Sequence, residues 1–259
     1  MSDKTLTAAD RRLTATVAHD GRDDQVAVEE PLEIRVDGSA LAVTMRTPGH
    51  DEELALGFLY GEGLIGPEPR MAGPSPDLAG NVVDVAGPLR HDPGRRRFYT
   101  TSSCGVCGKG ALEEVAVHAP AVAPGPVIAR DLVAALPDRL HQPGFARTGG
   151  LHATGLFDAN GTLLCVREDV GRHNAMDKVI GRALLDEALP LAGHLLCVSG
   201  RVSFELVQKA AVAGAPVIVG VGAPTSLAVA LAGDRGMTLA GFARDGRVNV
   251  YTGPQRIAD

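Results

Sequence analysis

The sequence predicts an α/β protein whose main part is a layered domain with a largely parallel sheet, and three observations carry that prediction. Through the second half, short apolar runs of strand length alternate with segments of helical period, the succession that builds a sheet with crossover helices. Ahead of it, one alternating stretch and one amphipathic stretch suggest a small N-terminal α+β portion. The composition suits a globular protein: 259 residues, 45% hydrophobic and 22% charged, are enough for one large core or two smaller ones.

Residues 1–25 are polar and read as a disordered arm. Order begins in PLEIRVDGSALAVTM, where Leu32, Ile34 and Val36 alternate, then Leu41, Val43 and Met45, with Asp37 and Gly38 between the two runs. That pattern is a β-hairpin. A helix follows: Thr47 and Pro48 open it, Asp51, Glu52 and Glu53 suit its positive end, and Leu54, Ala55, Phe58 and Leu59 form its buried stripe. From 66 to 94 Pro and Gly recur, so the stretch is mostly loop around one short strand at 82–85. Residues 26–98 are thus the hairpin-and-helix portion, and 99–259 the α/β core. In the core, strands at 153–157 and 162–166 join through Asn160 and Gly161, and 173–185 is a helix with Met176, Val179, Ile180, Ala183 and Leu184 on one side. A strand at 195–198, a helix at 203–213, a strand at 217–221, a helix at 226–232 and a strand at 237–242 complete the alternation. In such sheets the loops leaving the strand ends collect the functional groups.

The segment TTSSCGVCGKG, residues 100–110, carries the clearest chemistry. Cys104 and Cys107 stand at CxxC spacing, with Lys109 the nearest cation. Backbone amides and a cation make such thiols more acidic than the free side chain, and the thiolate is the reactive form. Gly105, Gly108 and Gly110 allow close approach of a partner. Three chemistries share this signature: half of a zinc site, a dithiol redox pair, or a carrier that holds sulfur as a persulfide. A structural zinc site needs further ligands at short spacing, which the chain does not offer. Cys165 and Cys197 each sit in a short apolar run that reads as a buried strand, so both are expected to be inert. A dithiol oxidoreductase and a zinc-binding interaction module remain the rivals to a carrier.

Charge and composition exclude other classes. A net charge of −6 argues against general nucleic-acid binding, 3% aromatic residues without Trp argue against stacking platforms, and Arg95, Arg96 and Arg97 read as a solvated loop. The N-terminus lacks an apolar targeting core, and no apolar run reaches the ~18 residues of a membrane span. The expectation is a cytoplasmic protein with reduced thiols, no nucleic-acid partner and no membrane.

Polar residues gather in the predicted loops. EDVGRHNAMDK crowds Arg172, His173, Asn174, Asp177 and Lys178 around a helix start, with His173 and Asp177 sharing one face and Asn174 and Lys178 another. SGRVSFE places Ser199, Gly200 and Arg201 between a strand and a helix, where amides and a guanidinium receive an anion. In GAPTS, Thr225 and Ser226 read as caps of the next helix. Arg172, Lys178, Arg201, Arg244 and Arg247 are candidate phosphate donors.

Taken in order and spacing, TSSCGVCG, TGGLHATGLF, EDVGRHNAMDKVIG, SGRVSFELVQKA, APTSLAVALA and GMTLAGFAR closely resemble the formate dehydrogenase accessory sulfurtransferase family (FdhD), and RTPGHDEELALGFLYGEGLI extends the resemblance toward the N-terminus. The resemblance implies a cytidine deaminase-like α/β/α core and a homodimer. It implies a sulfurtransferase that takes persulfide sulfur from a cysteine desulfurase and delivers it to a molybdenum (or tungsten) bis(molybdopterin guanine dinucleotide) cofactor, bound as substrate, for formate dehydrogenase. Cys104 matches the carrier thiol, and Cys107 the second cysteine, assigned to relay or release. The closing segment, matched here by Phe242, Ala243, Arg244, Asp245, Gly246 and Arg247, is implied to contact the guanine dinucleotide, for which guanosine diphosphate is a stand-in. No permanently bound metal is expected.

Overall fold

Two-residue Asp-Gly turns close the first two hairpins of the chain. The computed structural model describes residues 13–68, 70–74, 80–91, 98–100 and 119–258; Cys104, Cys107, Lys109 and the arginines at 95–97 lie outside them. Strands β1 (Thr14–His19) and β2 (Arg22–Ala27) pair antiparallel across Asp20 and Gly21. The φ angles of those two residues, 48° and 72°, are the left-handed pair a type I′ turn needs. The expected disordered arm over 1–25 is therefore corrected: residues 14–25 lie in this ribbon. Most of its side chains face water, so the polar composition belongs to a solvated hairpin.

Strands β3 (Glu30–Val36) and β4 (Ser39–Arg46) repeat the device around Asp37 and Gly38. Leu32, Ile34 and Val36 are buried as expected. On β4 the buried residues are instead Ala42, Thr44 and Arg46, and Leu41, Val43 and Met45 are half-buried. Cross-strand partners share a face: Ala42 lies opposite Ile34 and Thr44 opposite Leu32, and the apolar side chains of that face pack on helix α1 (Asp51–Gly61). Strands β5 (Ala72–Pro74), β6 (Val82–Val85) and β7 (Phe98–Thr100) complete a five-stranded sheet of order β5-β6-β3-β4-β7.

The second half follows the predicted alternation, with additions. Strand β8 (Ile128–Ala129) and the short helices α2 (Arg130–Ala135) and α3 (Pro143–Thr148) precede the hairpin of β9 (His152–Phe157) and β10 (Leu163–Asp169). Then come α4 (Arg172–Leu185), β11 (Leu195–Val198), α5 (Phe204–Val212), β12 (Val217–Gly220), α6 (Ser226–Asp234), β13 (Thr238–Arg244), β14 (Arg247–Thr252) and β15 (Ile257–Ala258), which pairs with β8. The main sheet has the order β10-β9-β11-β12-β13-β14, and only β11–β12 and β12–β13 pair parallel. It is a mixed sheet, not the largely parallel one expected. The loops joining β9 to β10 and β13 to β14 are too short for a crossover, which forces antiparallel pairing there.

Alternation along the strands covers both faces of the sheet. Leu156, Leu196, Val198, Ile218 and Leu239 pack against α4, α5 and α6, while Phe157, Leu195, Cys197, Val217, Val219 and Ala240 pack with Val133 of α2.

The N-terminal portion is locked onto this core. Helices α1 and α4 cross with backbones in contact: a methyl group at Gly57 would overlap the carbonyl of Asp177, and one at Gly181 would overlap the carbonyl of Glu53. Beside the crossing runs a buried polar network. Lys178, 1% exposed, pairs with Asp169 at 2.7 Å and donates to the Thr47 carbonyl at 2.8 Å. Asp169 also accepts from the amides of Thr47 and Gly171 and from Asn174 Nδ2, at 3.1, 2.8 and 3.0 Å. Every strong donor and acceptor here is matched, as burial of charge demands. Removing one partner strands the other: Lys178→Met is expected to lower stability by about 3 kcal/mol, read as a lower urea midpoint at unchanged slope. A midpoint equal to that of the native protein would contradict this role.

Candidate functional site at the carboxyl edge of the main sheet

Strands β10, β11, β12 and β13 run in the same direction, so the loops that follow them meet at one edge, where β9 begins. Backbone bonds stitch these loops together. The Ser199 amide donates to the Ala153 carbonyl at 2.9 Å, and Ser199 Oγ accepts from the Ala153 amide at 2.8 Å. The Gly222 amide donates to the Gly200 carbonyl at 3.0 Å, and the Phe242 amide to the Gly222 carbonyl at 3.1 Å. A side chain at Gly222 would stand 3.0 Å from the Arg201 nitrogen, so glycine permits this close approach. Thr225 caps α6 as expected, its hydroxyl accepting from the Ala228 amide at 3.4 Å.

Basic side chains from three elements converge on this edge: His152 from β9, Arg172 and His173 from the first turn of α4, and Arg201 from the loop after β11. Burial pushes the His152 pKa below the usual histidine value; Arg172, His173 and Arg201 push it the same way, and Asp169 opposes them. His173 Nε2 lies 3.4 Å from Ser203 Oγ and 3.8 Å from Glu205 Oε2. The His173 imidazole beside it holds the pKa of the Glu205 carboxyl below the usual carboxylate range, at about 2, against the opposing effect of its burial. Arg172 Nε is buried and has no hydrogen-bond partner among the described residues. A buried guanidinium nitrogen in that state favours an incoming anion.

The turn from β13 to β14 lies next in line. Phe242 takes φ 53° and is 38% exposed, a strained conformation for an aromatic residue and one that clusters at functional positions. Asp245 and Gly246, with φ of 52° and 69°, make another tight hairpin turn. It sets Arg244 directly opposite Arg247, both exposed. Like charges face to face destabilise a hairpin unless an anion bridges them. Ala243 points away from this edge and is buried in the core with α2.

The structure thus assembles Arg172, His173 and Arg201 at one place, and Phe242, Arg244, Asp245, Gly246 and Arg247 at the neighbouring turn. Lys178 stands apart. Its ammonium is enclosed with Asp169, which corrects its reading as a free phosphate donor: an i, i+4 face on a helix start turned inward, toward α1. His152 was not singled out by the sequence reading, because its charged neighbours are remote along the chain. Cys197 is fully buried, which raises its pKa. Cys165 is half-buried rather than inside a core strand, and burial raises its pKa against the opposing pull of Arg167. Neither is poised as a thiolate.

The CxxC segment itself is outside the described residues, but strand β7 runs toward it. Thr100, its last residue, pairs with Thr44 of β4, and the Thr44 hydroxyl donates to Asn174 Oδ1 at 3.3 Å in the first turn of α4. Among the described residues no group of three or more His, Cys, Asp or Glu side chains is placed to hold a metal, and no helix is long and apolar enough to cross a membrane.

Comparison with known proteins gives a consistent result. The sequence profile of the FdhD/NarQ family matches residues 27–258. The chain is 52% identical to the sulfur carrier protein FdhD of Mycolicibacterium paratuberculosis over 266 residues, covering 95% of this chain and 97% of that one. It is 51% identical to the sulfur carrier protein FdhD of Streptomyces coelicolor, covering 92% of this chain and 90% of that one. Among solved structures it resembles a formate dehydrogenase accessory protein from Desulfotalea psychrophila, with a TM-score of 0.76, 28% identity, and coverage of 95% and 98%.

Proposed function

The chain belongs to the FdhD/NarQ family, and from that premise we propose that it carries sulfur as a persulfide on Cys104. The donor is a cysteine desulfurase. The acceptor is a molybdenum (or tungsten) bis(molybdopterin guanine dinucleotide), bound as substrate at the carboxyl edge of the main sheet and destined for formate dehydrogenase. The observation that carries this reading is the link from the end of β7 to the first turn of α4: Thr100, four residues ahead of Cys104 in the sequence, pairs with Thr44, whose hydroxyl donates to Asn174 next to His173 and Arg172.

The chemistry asks little of the fold beyond position. The Cys104 thiolate attacks the outer sulfur of the donor persulfide; the donor S–S bond breaks, the donor cysteine leaves as thiolate, and Cys104 holds the new persulfide. When the outer sulfur passes to the acceptor, the S–S bond breaks with its electron pair left on Cys104 as thiolate, and the acceptor supplies the two electrons that turn the sulfane sulfur into sulfide, with Cys107 assigned to relay or release. The diphosphates of the acceptor fit the donor set at the edge. Arg172 and Arg201 offer guanidinium nitrogens, Arg244 and Arg247 form a facing pair, and exposed Phe242 offers a ring for a guanine base. We place the protein in the cytoplasm as a homodimer, since a persulfide cycle needs the thiols reduced.

The direct test is to incubate the protein with a cysteine desulfurase and sulfur-labelled cysteine, then map the labelled peptide. Label on the peptide holding Cys104 supports the reading; its absence there refutes it. For the cargo site, Arg244→Ala and Arg247→Ala are each expected to weaken guanosine diphosphate binding by roughly 5- to 30-fold, measured calorimetrically. Unchanged affinity would remove either residue from the site.

A further inference from the structure

The cluster at the carboxyl edge holds more basic groups than its carboxylates can serve. Arg172, His173 and Arg201 all act on His152 there, and the carboxylates in reach are Asp169 from β10 and, acting on His173, Glu205 from α5 and Asp177 from α4. All three are already engaged, Asp177 with Lys209 at 2.9 Å. Asp169 is bonded to Lys178, Asn174 and two amides, and Glu205 faces His173 and Ser203. Arg172 Nε is buried without a partner among the described residues, and the half-buried ring of His152 lies against Gly200 at the root of the loop that carries Arg201. A seat so biased toward cations is completed by an anion.

We propose that His152 is a further anion-binding residue of this edge, engaging a phosphate group of the cargo as an imidazolium, so that loading takes up a proton from solvent and release returns it. The inference rests on the reading of this edge as the seat of a nucleoside diphosphate.

The direction follows from the surroundings. In the free protein, burial together with Arg172, His173 and Arg201 favours the neutral ring, against Asp169 alone. A phosphate placed among them reverses the balance, since an opposite charge within a few ångströms favours the protonated form by about 1–3 pKa units. Between the two pKa values the complex binds more protons than the free protein, so affinity rises as the pH falls through that window. It levels off below the free-protein value and is weakest above the bound one.

The probe that isolates this effect is P1,P2-di(guanosine-5′) diphosphate, whose diphosphate diester keeps its charge near neutral pH. Titrating it into the full chain in two buffers of different ionisation enthalpy counts the protons exchanged. Native protein is expected to take up a measurable fraction of a proton, at most one, per ligand and to gain affinity by several-fold, at most about tenfold, per unit fall in pH through the window between the free and bound pKa values. His152→Gln keeps a donor of similar size and is expected to bind with no uptake and a flat profile, while His19→Gln, on the solvated β1–β2 ribbon, retains both. Binding by the native protein without net uptake overturns the proposal and leaves the seat standing. Uptake that persists in His152→Gln and vanishes in His173→Gln overturns the assignment to His152. Failure of the native protein to bind either this probe or guanosine diphosphate removes the seat, and the proposal with it.

Discussion

Cys104→Ala is expected to abolish sulfur transfer, lowering the maturation of formate dehydrogenase by at least about a hundredfold. A covalent carrier has no partial substitute: without the thiolate no S–S bond forms, and neighbouring interactions can only bind a cargo that never receives its atom. The other described thiols do not stand in. Cys197 is sealed in the core, and Cys165 is held in its protonated form by burial. Formate dehydrogenase activity in cells lacking their own copy of the protein reads the loss, and retained guanosine diphosphate affinity in the same variant separates lost chemistry from lost fold. Activity near the native level would refute the carrier role. Cys107→Ala, by contrast, is expected to leave label on Cys104 that does not reach the acceptor, and transfer at the native rate would remove Cys107 from the path.

Gly57→Ala and Gly181→Ala are each expected to destabilise the protein by more than about 4 kcal/mol, or to prevent folding. At both positions the added methyl would occupy the space of a backbone carbonyl on the facing helix, which no rotamer change can vacate. The helices must separate, and with them the ion pairs that tie α1 to the core, including Glu53 of α1 with Arg167 of β10 at 2.6 Å. Gly61→Ala is the internal control. Its methyl would meet side-chain rather than backbone atoms, Lys209 Nζ at 3.1 Å and Cγ at 3.2 Å, which need to give by only a few tenths of an ångström, and alanine gains helix propensity, so the net change should stay within about 1 kcal/mol. Urea unfolding of the three variants decides the matter. Equal midpoints at 57 and 61 would mean that the crossing is looser than this geometry.

Much of the fold was legible because its signals are local. Asp37 and Gly38 between alternating runs marked one hairpin, and the apolar runs at 195–198 and 217–221 marked central strands to within a residue. The ribbon over 14–27 escaped because neither face of it is buried, so no apolar alternation advertises it. Its Asp20–Gly21 turn was the remaining sign. Strand direction escaped for a different reason: pairing is decided by loop length and by which neighbour a strand meets, and β9 lies antiparallel between β10 and β11 although all three read alike.

The candidate site divides along the same line. Arg172, His173, Arg201, Arg244 and Arg247 could be named from loops rich in polar groups, but Lys178 belongs to the same string and serves the interior instead. His152 sits in an apolar stretch and becomes part of the cluster only when β9 starts where β11 ends.

By itself the sequence placed two thiols at CxxC spacing, marked the alternation of strands and helices in the second half and named candidate cations for an anion, since residue spacing and periodicity are properties of neighbours along the chain. Only the tertiary structure decided which of those cations stay available, which histidine joins them, and where two helices touch through glycine, because burial and charge pairing depend on what lies across a gap that chain order does not record.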